Sequence, residues 1–476
     1  MRKFILYISL ILILIISYEL ISIDNKYINK SAISVDINNI RNPQIKKIFR
    51  KLDLYLGSFY FTLSKKKQEE FLNQEIDKYK VLPENIEVPS KLDKLTLSNK
   101  KNFNNLKNWK RSHGNHSSNK FSNLSKINTK NVKNLELAWT HTFEKKGDIP
   151  GNPIYYEGVI YLSSTNKSLV ALDAFDGKKI WEHKTEGMAA TRGLILNEEE
   201  EPKIYFCDQK NLIALYASTG KLVKNFGDNG RIDLKYKCQI TPVIIDNKII
   251  IGTFEPGIEV YDIKNGEILW KFYLKEKKDN YFRYGGKRYD YSGGNPWGGI
   301  SGDLEGKILY VTTGNAGRFY DGTTRPGKNK YSNSVLAIDI KNRKLLWEFQ
   351  EIEHDIWNLD IASPPILTSI KVKDNEIDVV VVPTKFGNTL VLDRITGDNI
   401  YGYTLTKVPL SNIPGEKTSF YQKVFELPEQ FSNQFFESED ITNISEESYK
   451  YIKDKINNAT FGFFIPHSIN KKNIMY

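Results

Sequence analysis

Apolar runs of strand length, separated by turn residues and lacking any helical period, fill the middle of the chain. VIYLSS reads as one strand, SLVALDA as a second, and FDGKKIWEHK as a turn feeding a third. The second-strand motif recurs. Asp173-x3-Gly177-x3-Trp181 returns as Asp262-x3-Gly266-x3-Trp270, Asp339-x3-Arg343-x3-Trp347 and Asp393-x3-Gly397-x3-Tyr401. ALYASTGKLVK is a degenerate copy, with Tyr216, Gly220 and Lys224 at the three positions. Starts at 173, 216, 262, 339 and 393 are separated by 43, 46, 77 and 54 residues, the spacing of three- or four-stranded antiparallel units with inserted loops. The aspartate suits a tight turn, the glycine supplies positive φ, and a large aromatic at fixed offset can seal one unit against the next. The pattern predicts an all-β fold of propeller type; an ordinary antiparallel sandwich is the competing architecture.

Other periods appear outside the repeats. Phe4–Tyr18 is an apolar run of fifteen residues behind a basic start, which predicts an export signal or an N-terminal membrane anchor over residues 1–23. Either places the rest outside the cytoplasm, on the periplasmic side of the inner membrane or free in the periplasm. Residues 24–105 predict a helical and linker segment, with helical spacing at Ile45–Phe61 and Lys65–Tyr79, and Pro83 and Pro89 in extended linker. Residues 106–476 carry the strand pattern, LELAWTHTF reads as a strand with Trp139 in the sealing position, and SEESYKYIKDKI predicts a short helix.

Composition narrows the function classes. The chain has 68 Lys+Arg against 57 Asp+Glu, a net charge of +11, yet the cations are dispersed and form no arginine stripe, which argues against nucleic-acid binding. Cys207 and Cys238 either pair in an oxidising compartment or stay as two small buried residues, and there is no CxxCH for haem. His113, His116 and His141 lack metal-ligand spacing and are expected to make hydrogen bonds or face solvent. Two glycine-rich loops, ending in GGNPWGGISGD and following TTGN, are natural places for a ligand site.

Seven pieces in order, FSNLSKINTKNVKNLELAW, SLVALDAFDGKKIW, GGNPWGGISGD, LYVTTGN, KYSNSVLAIDI, EHDIWNLDIASPP and PTKFGNTLVLDRITG, resemble the pyrroloquinoline quinone (PQQ) dependent alcohol and sugar dehydrogenases, most closely the membrane-bound quinoprotein glucose dehydrogenase branch. The resemblance covers about Trp109 to Tyr476 and implies a quinoprotein β-propeller of an eight-bladed family. It implies PQQ and Ca²⁺ as cofactors, an alcohol or sugar as substrate, and a membrane quinone or soluble carrier as electron acceptor.

The resemblance also implies site roles. Trp297 would lie beneath the quinone, Glu255, Asn315 and Asp355 would bind calcium, and Asp355 would be the catalytic base. Lys385 would face the quinone oxygens, Arg192 a cofactor carboxylate, and Thr241 would supply a pocket hydroxyl. Some features depart from the pattern: Glu353 stands where the glucose branch carries another histidine, and GMAATRG has no adjacent cysteine pair. Roughly five or six blade units can be counted where the family has eight, which leaves three readings: a split or prematurely ended reading frame, the favoured one, closure by a separately encoded C-terminal propeller part as partner, or a degenerate propeller that binds without catalysis. A non-catalytic propeller scaffold, resembling outer-membrane assembly lipoproteins, is the alternative reading.

Overall fold

The computed structural model describes residues 76–92, 107–149, 151–275, 282–284, 287–289 and 293–473, apart from short breaks at 318, 324, 326, 373–374, 414–415, 434–435, 458, 461, 463 and 469–471. The expected hydrophobic N-terminal helix and the helical spacing at Ile45–Phe61 lie outside these residues. Among the described residues, no helix is long and apolar enough to cross a membrane. The ribbon Phe282–Tyr284 with Lys287–Tyr289 falls in a separate compact unit from the sheets below.

The repeats fold as four-stranded antiparallel meanders. Sheet one is Ile154–Tyr156, Val159–Ser163, Ser168–Asp173 and Lys179–Lys184; sheet two is Leu194–Asn197, Lys203–Cys207, Gln209–Tyr216 and Arg231–Cys238. Sheet three is Val243–Ile245, Lys248–Thr253, Gly257–Asp262 and Ile268–Tyr273; sheet four is Gly299–Asp303, Ile308–Thr312, Ser334–Asp339 and Lys344–Gln350. Each sheet pairs its strands in sequence order. Sheet five holds Ile366–Val372, Asn375–Pro383 and Thr389–Asp393, with a single bridge from Leu392 to Asn399 where a fourth strand would run. First strands of sheets three, four and five are neighbours and fourth strands are the most exposed, the arrangement of propeller blades around an axis.

Packing between blades follows the sequence pattern. Third strands are almost wholly buried, as in SLVALD and GIEVYD, because both faces of each blade meet another sheet. Ile195, Tyr205, Ile250, Val260 and Leu309 belong to one core shared by sheets two, three and four. Tyr161, Leu169, Ile204 and Phe206 fill the space between sheets one and two.

The Asp-Gly-Trp motif does its expected work in three dimensions. The Asp173 and Asp393 carboxylates accept backbone N–H bonds within their turns. Gly177, Gly220, Gly266 and Gly397 all have φ between 67° and 76°, and Arg343 adopts 57° at the same position. The outer-strand indole of one blade then covers the turn of the next. Trp181 Nε1 donates to Ala217 O at 2.9 Å and Trp347 Nε1 to Arg394 O at 3.1 Å. A Cβ on Gly220 would lie within 2.5 Å of the Trp181 ring, so the glycine serves close approach as well as turn geometry. At the degenerate copy, where Lys224 replaces the aromatic, backbone substitutes: Gly227 N donates to Asn265 O at 2.8 Å.

Two expectations about the first third need correction. LELAWTHTF joins no sheet among the described residues, although Trp139 Nε1 does bond Ala174 O at 3.1 Å. It sits where an outer strand would sit and leaves Leu137 81% exposed. The supposed linker between Pro83 and Pro89 contains a strand, Asn85–Val88, which pairs antiparallel with Tyr403–Lys407 and so joins the sheet completed by Tyr421–Val424. The short C-terminal helix is present as α1, Glu446–Asn457.

Replacing Trp181 by Phe keeps an aromatic ring but removes the donor together with part of the indole, leaving the buried Ala217 carbonyl without this bond. The variant is expected to lose about 1–3 kcal/mol in a urea unfolding curve, and an unchanged midpoint would show that ring packing alone makes the seal.

Candidate functional site

In an antiparallel meander the start of the first strand, the end of the second and the start of the third share one end, and the Asp-Gly hairpins lie at the other. Arg192, Thr241, Trp297 and Asp360 precede first strands; Glu255, Asn315 and Lys385 follow second strands. The candidate residues therefore gather on one end of the blades, and Asp355 lies in the same loop as Asp360.

Trp297 is the centre of this group. Its Nε1 donates to Asp360 Oδ1 at 3.0 Å, and its backbone N–H bonds the Asn295 side chain at 3.2 Å. Gly314 lies so close to the indole edge and to Asp360 Oδ1 that any Cβ there would collide with both. The ring is half-buried, and the Arg192 guanidinium lies over it, 4.4 Å from the ring centroid. Burial lowers the Arg192 pKa from its ordinary value.

Asp360 is the residue that sequence reasoning missed. Its Oδ1 also accepts the Asn315 backbone N–H at 2.7 Å, and its Oδ2 lies 4.0 Å from Lys385 Nζ. One carboxylate thus joins three residues from two blades. The only signal was its place in EHDIWNLD, five residues after the aspartate chosen instead. Lys385 Nζ donates to Asn358 O at 2.6 Å, and its side chain keeps 45% exposure. Asn358 itself has φ of 61°, a left-handed conformation, and its Oδ1 is buried without a hydrogen-bond partner.

Asp355, expected as base and metal ligand, is held tightly by its own loop. It is fully buried, and both oxygens are engaged: Oδ1 accepts Trp357 N–H at 2.8 Å, while Oδ2 accepts Leu359 N–H at 2.7 Å and Asn333 Nδ2 at 2.8 Å. Burial raises its pKa despite these donors. This bonding makes Asp355 a brace of the 355–359 loop that carries Asn358 and leads to Asp360.

Glu255 faces Lys275, 3.6 Å away, and among the described residues no three His, Cys, Asp or Glu side chains gather as a metal site. Asn315 Oδ1 alone of the three expected donors is buried and without a hydrogen-bond partner. Thr241, expected to offer a pocket hydroxyl, instead donates it to Arg192 O at 2.8 Å, fixing the backbone that presents the guanidinium.

Arg111, also unforeseen, secures the group from beneath. Buried to 1% exposure, it spends all five N–H donors on Pro242 O, Thr241 O, Ile300 O, Asn115 O and Ser118 Oγ, at 2.7–3.3 Å. Burial lowers its pKa to about 9, which leaves it charged at neutral pH. It ties the starts of sheets three and four together just below Thr241 and Trp297. Of the three histidines, His113 is buried, and His141 Nδ1 bonds Gly177 O at 3.0 Å as His183 Nδ1 bonds Gly220 O at 3.0 Å. These repeated bonds assign His141 to blade sealing.

Behind the site, Glu351 is buried, its Oε1 accepting Thr384 Oγ1 at 2.9 Å and Asn388 Nδ2 at 2.7 Å, with no hydrogen-bond partner for Oε2. Burial pushes its carboxyl up to about 7.

Blades in sequence, with a cation-covered indole on the loops at one end, define a β-propeller with a candidate ligand site at that end. The chain belongs to the family described as PQQ: Glucose/ethanol/alcohol dehydrogenase, beta-propeller domain, which matches residues 109–476. It is 27% identical to the glycerol dehydrogenase large subunit of Gluconobacter oxydans (strain 621H) over 364 residues, 68% of this chain and 49% of that one. It is likewise 27% identical to the quinoprotein glucose dehydrogenase of Escherichia coli (strain K12) over 316 residues, 58% of this chain and 40% of that one. The crystal structure of quinohemoprotein alcohol dehydrogenase from Comamonas testosteroni aligns with a TM-score of 0.55 at 25% identity, covering 67% of this chain and 52% of that one. The chain spans about half the length of the curated relatives it matches.

Glu351 makes stability depend on pH. Its folded carboxyl holds a proton up to about pH 7, whereas the ordinary value is 4.5. Its stabilising contribution is therefore complete below the unfolded pKa and is lost as pH rises through the folded one. Glu351→Gln, which copies the neutral acid, is expected to gain about 2 kcal/mol on wild type between pH 5 and pH 8, read from unfolding curves at both pH values; parallel curves would refute the assignment.

Proposed function

We propose that the chain binds PQQ at Trp297 and takes part in oxidising an alcohol, polyol or sugar. The observation that carries this reading is the half-buried indole with a planar cation on its face and a second cation, Lys385, beside the Asp360 that locks its edge. A flat polyanionic quinone suits an aromatic platform flanked by cations. When bound, the quinone supplies a two-electron acceptor. The chain's own residues orient it: Trp297 offers the platform, and Arg192 and Lys385 attract its anionic oxygens.

Asp360, rather than Asp355, is the carboxylate left to take a proton from a substrate hydroxyl, because the polar bonds at Asp360 fall on Oδ1 and Oδ2 has only the looser contact with Lys385. Electrons from the reduced cofactor would leave for a membrane quinone or a soluble carrier. The cystine described below and the apolar run Phe4–Tyr18 support a periplasmic location, facing or tethered to the inner membrane.

The unpaired stretch at Leu135 and Leu137, 59% and 81% exposed, supports a separately encoded propeller part as a partner. The same edge suits the scaffold reading, in which the protein would bind a membrane partner and neither PQQ nor calcium.

The test is titration of the purified chain with PQQ, followed by dye reduction across an alcohol and sugar panel with and without the candidate partner part. PQQ is expected to quench tryptophan emission, and Trp297→Ala to weaken binding at least tenfold. Asp360→Asn is expected to retain the cofactor and lower turnover by about 10²–10⁴-fold. Absence of PQQ binding would overturn the cofactor reading; full turnover in Asp360→Asn would remove that residue as the base.

A further inference from the structure

The turn that carries Arg192 is strained. Ala190 has φ of 44°, a left-handed conformation that a residue with a Cβ adopts only when its surroundings enforce it. Ala189 and Ala190 are both about 1% exposed, so no solvent-facing rearrangement relieves them.

What enforces the conformation is a pair of backbone bonds, one on either side of a disulfide. Cys207 and Cys238 are joined, with Cα atoms 5.9 Å apart, within the range that a cystine spans without backbone movement. Cys207 ends the second strand of sheet two, and Cys238 ends its fourth. Cys207 O accepts the Ala190 N–H at 2.9 Å, and Gln239 O, the residue after Cys238, accepts the Arg192 N–H at 3.1 Å. Thr241 Oγ1, three residues beyond Cys238, completes the hold by donating to Arg192 O. The three groups that grip residues 190–192 therefore belong to two strand ends cross-linked to each other.

We infer that the Cys207–Cys238 disulfide positions Arg192: it holds the two strand ends that grip the strained turn, and so presents the guanidinium over Trp297. The cystine touches neither Trp297 nor the guanidinium in any bond described above, so it is a positioning element and Arg192 is the binding group. The alternative is a disulfide that merely stabilises the blade, which would raise global stability without a special effect on residues 190–192. The ligand part of the inference rests on the PQQ reading; the positioning part does not.

Hydrogen exchange on the full chain separates these. In Cys207→Ser/Cys238→Ser, the amides of Ala190 and Arg192 are expected to exchange at least tenfold faster than in wild type, while that of Ala171, in the third strand of sheet one, stays within twofold. Equal acceleration at all three would overturn the inference in favour of general stabilisation, and unchanged exchange at Ala190 and Arg192 would overturn it outright. Should the serine pair fail to fold, Cys207→Ala/Cys238→Val, which keeps the core apolar, is measured the same way. PQQ titration supplies the second readout. Loss of the cystine is expected to weaken binding about tenfold in wild type and by less than twofold in Arg192→Ala, because both act through one group. Equal losses in the two backgrounds would contradict positioning through Arg192. If wild type binds no PQQ, the cofactor reading fails, and the exchange rates still decide the disulfide's role.

Discussion

The contact on which the propeller depends is an indole N–H given to the first carbonyl of a blade's turn, by the outer strand of the blade before it or, at Trp139, by a segment that joins no sheet among the described residues. Trp139 with Ala174, Trp181 with Ala217 and Trp347 with Arg394 repeat it at 2.9–3.1 Å. Each contact buries a large ring against a glycine and satisfies a carbonyl that the tight turn leaves over. Blade-to-blade geometry is thus set at the hairpin end by one side chain, leaving the opposite end free to vary its loops. Where Lys224 replaces the aromatic, the Gly227–Asn265 backbone bond preserves the junction. The repeat therefore specifies a turn-to-neighbour bond, for which tryptophan is the usual donor and not the sole one.

At the loop end, order comes from polar groups withdrawn from solvent. Arg111 is a buried cation whose five N–H donors face carbonyls and one hydroxyl. Neutral acceptors offset the loss of hydration without the strong, directional pull of a carboxylate, and here they come from several segments at once. That lets a single side chain register sheets three and four. Ala190 and Asn358 supply the complementary feature: two non-glycine residues at positive φ, both in loops carrying candidate residues. At Ala190 the surrounding backbone bonds enforce the conformation, whereas asparagine adopts it more readily.

The sequence was most readable where one physical requirement recurs. Asp173, Gly177 and Trp181 each answer a local demand of a hairpin, and five copies make the period visible. The third strands were readable because burial on both faces leaves them mostly apolar, with Glu259 an exception engaged by Tyr261 and Lys271. The strand at Asn85–Val88 was hidden because its partner, Tyr403–Lys407, is more than 300 residues away, and a short polar run between prolines has the local appearance of linker. LELAWTHTF failed the other way: it has the alternation of a strand, but a ladder needs a neighbour, and none is present among the described residues. Trp297, Arg192, Lys385 and Asn315 were found through their motifs, and the structure brings all four to one end. Arg111 was not, since nothing in NWKRSHG distinguishes an arginine that will be buried from one that will be solvated.

The two aspartates of EHDIWNLD show why motif spacing alone could not assign the chemistry. They are five residues apart in one loop and chemically identical, yet Asp355 spends both oxygens on its own loop and Asn333, whereas Asp360 bonds the indole and the start of the neighbouring loop with one oxygen and meets only Lys385 with the other. A carboxylate that accepts three short bonds in a buried loop holds structure, because using it for proton transfer would release the backbone that it organises. A carboxylate with a lone oxygen beside a partly exposed ammonium retains an acceptor whose loss leaves the loop bonded. Both aspartates are buried, so the direction of the donors, not burial, identity or spacing, is what distinguishes them. The same reasoning separates Glu255, engaged by Lys275, from Asn315, whose free oxygen faces a protein interior.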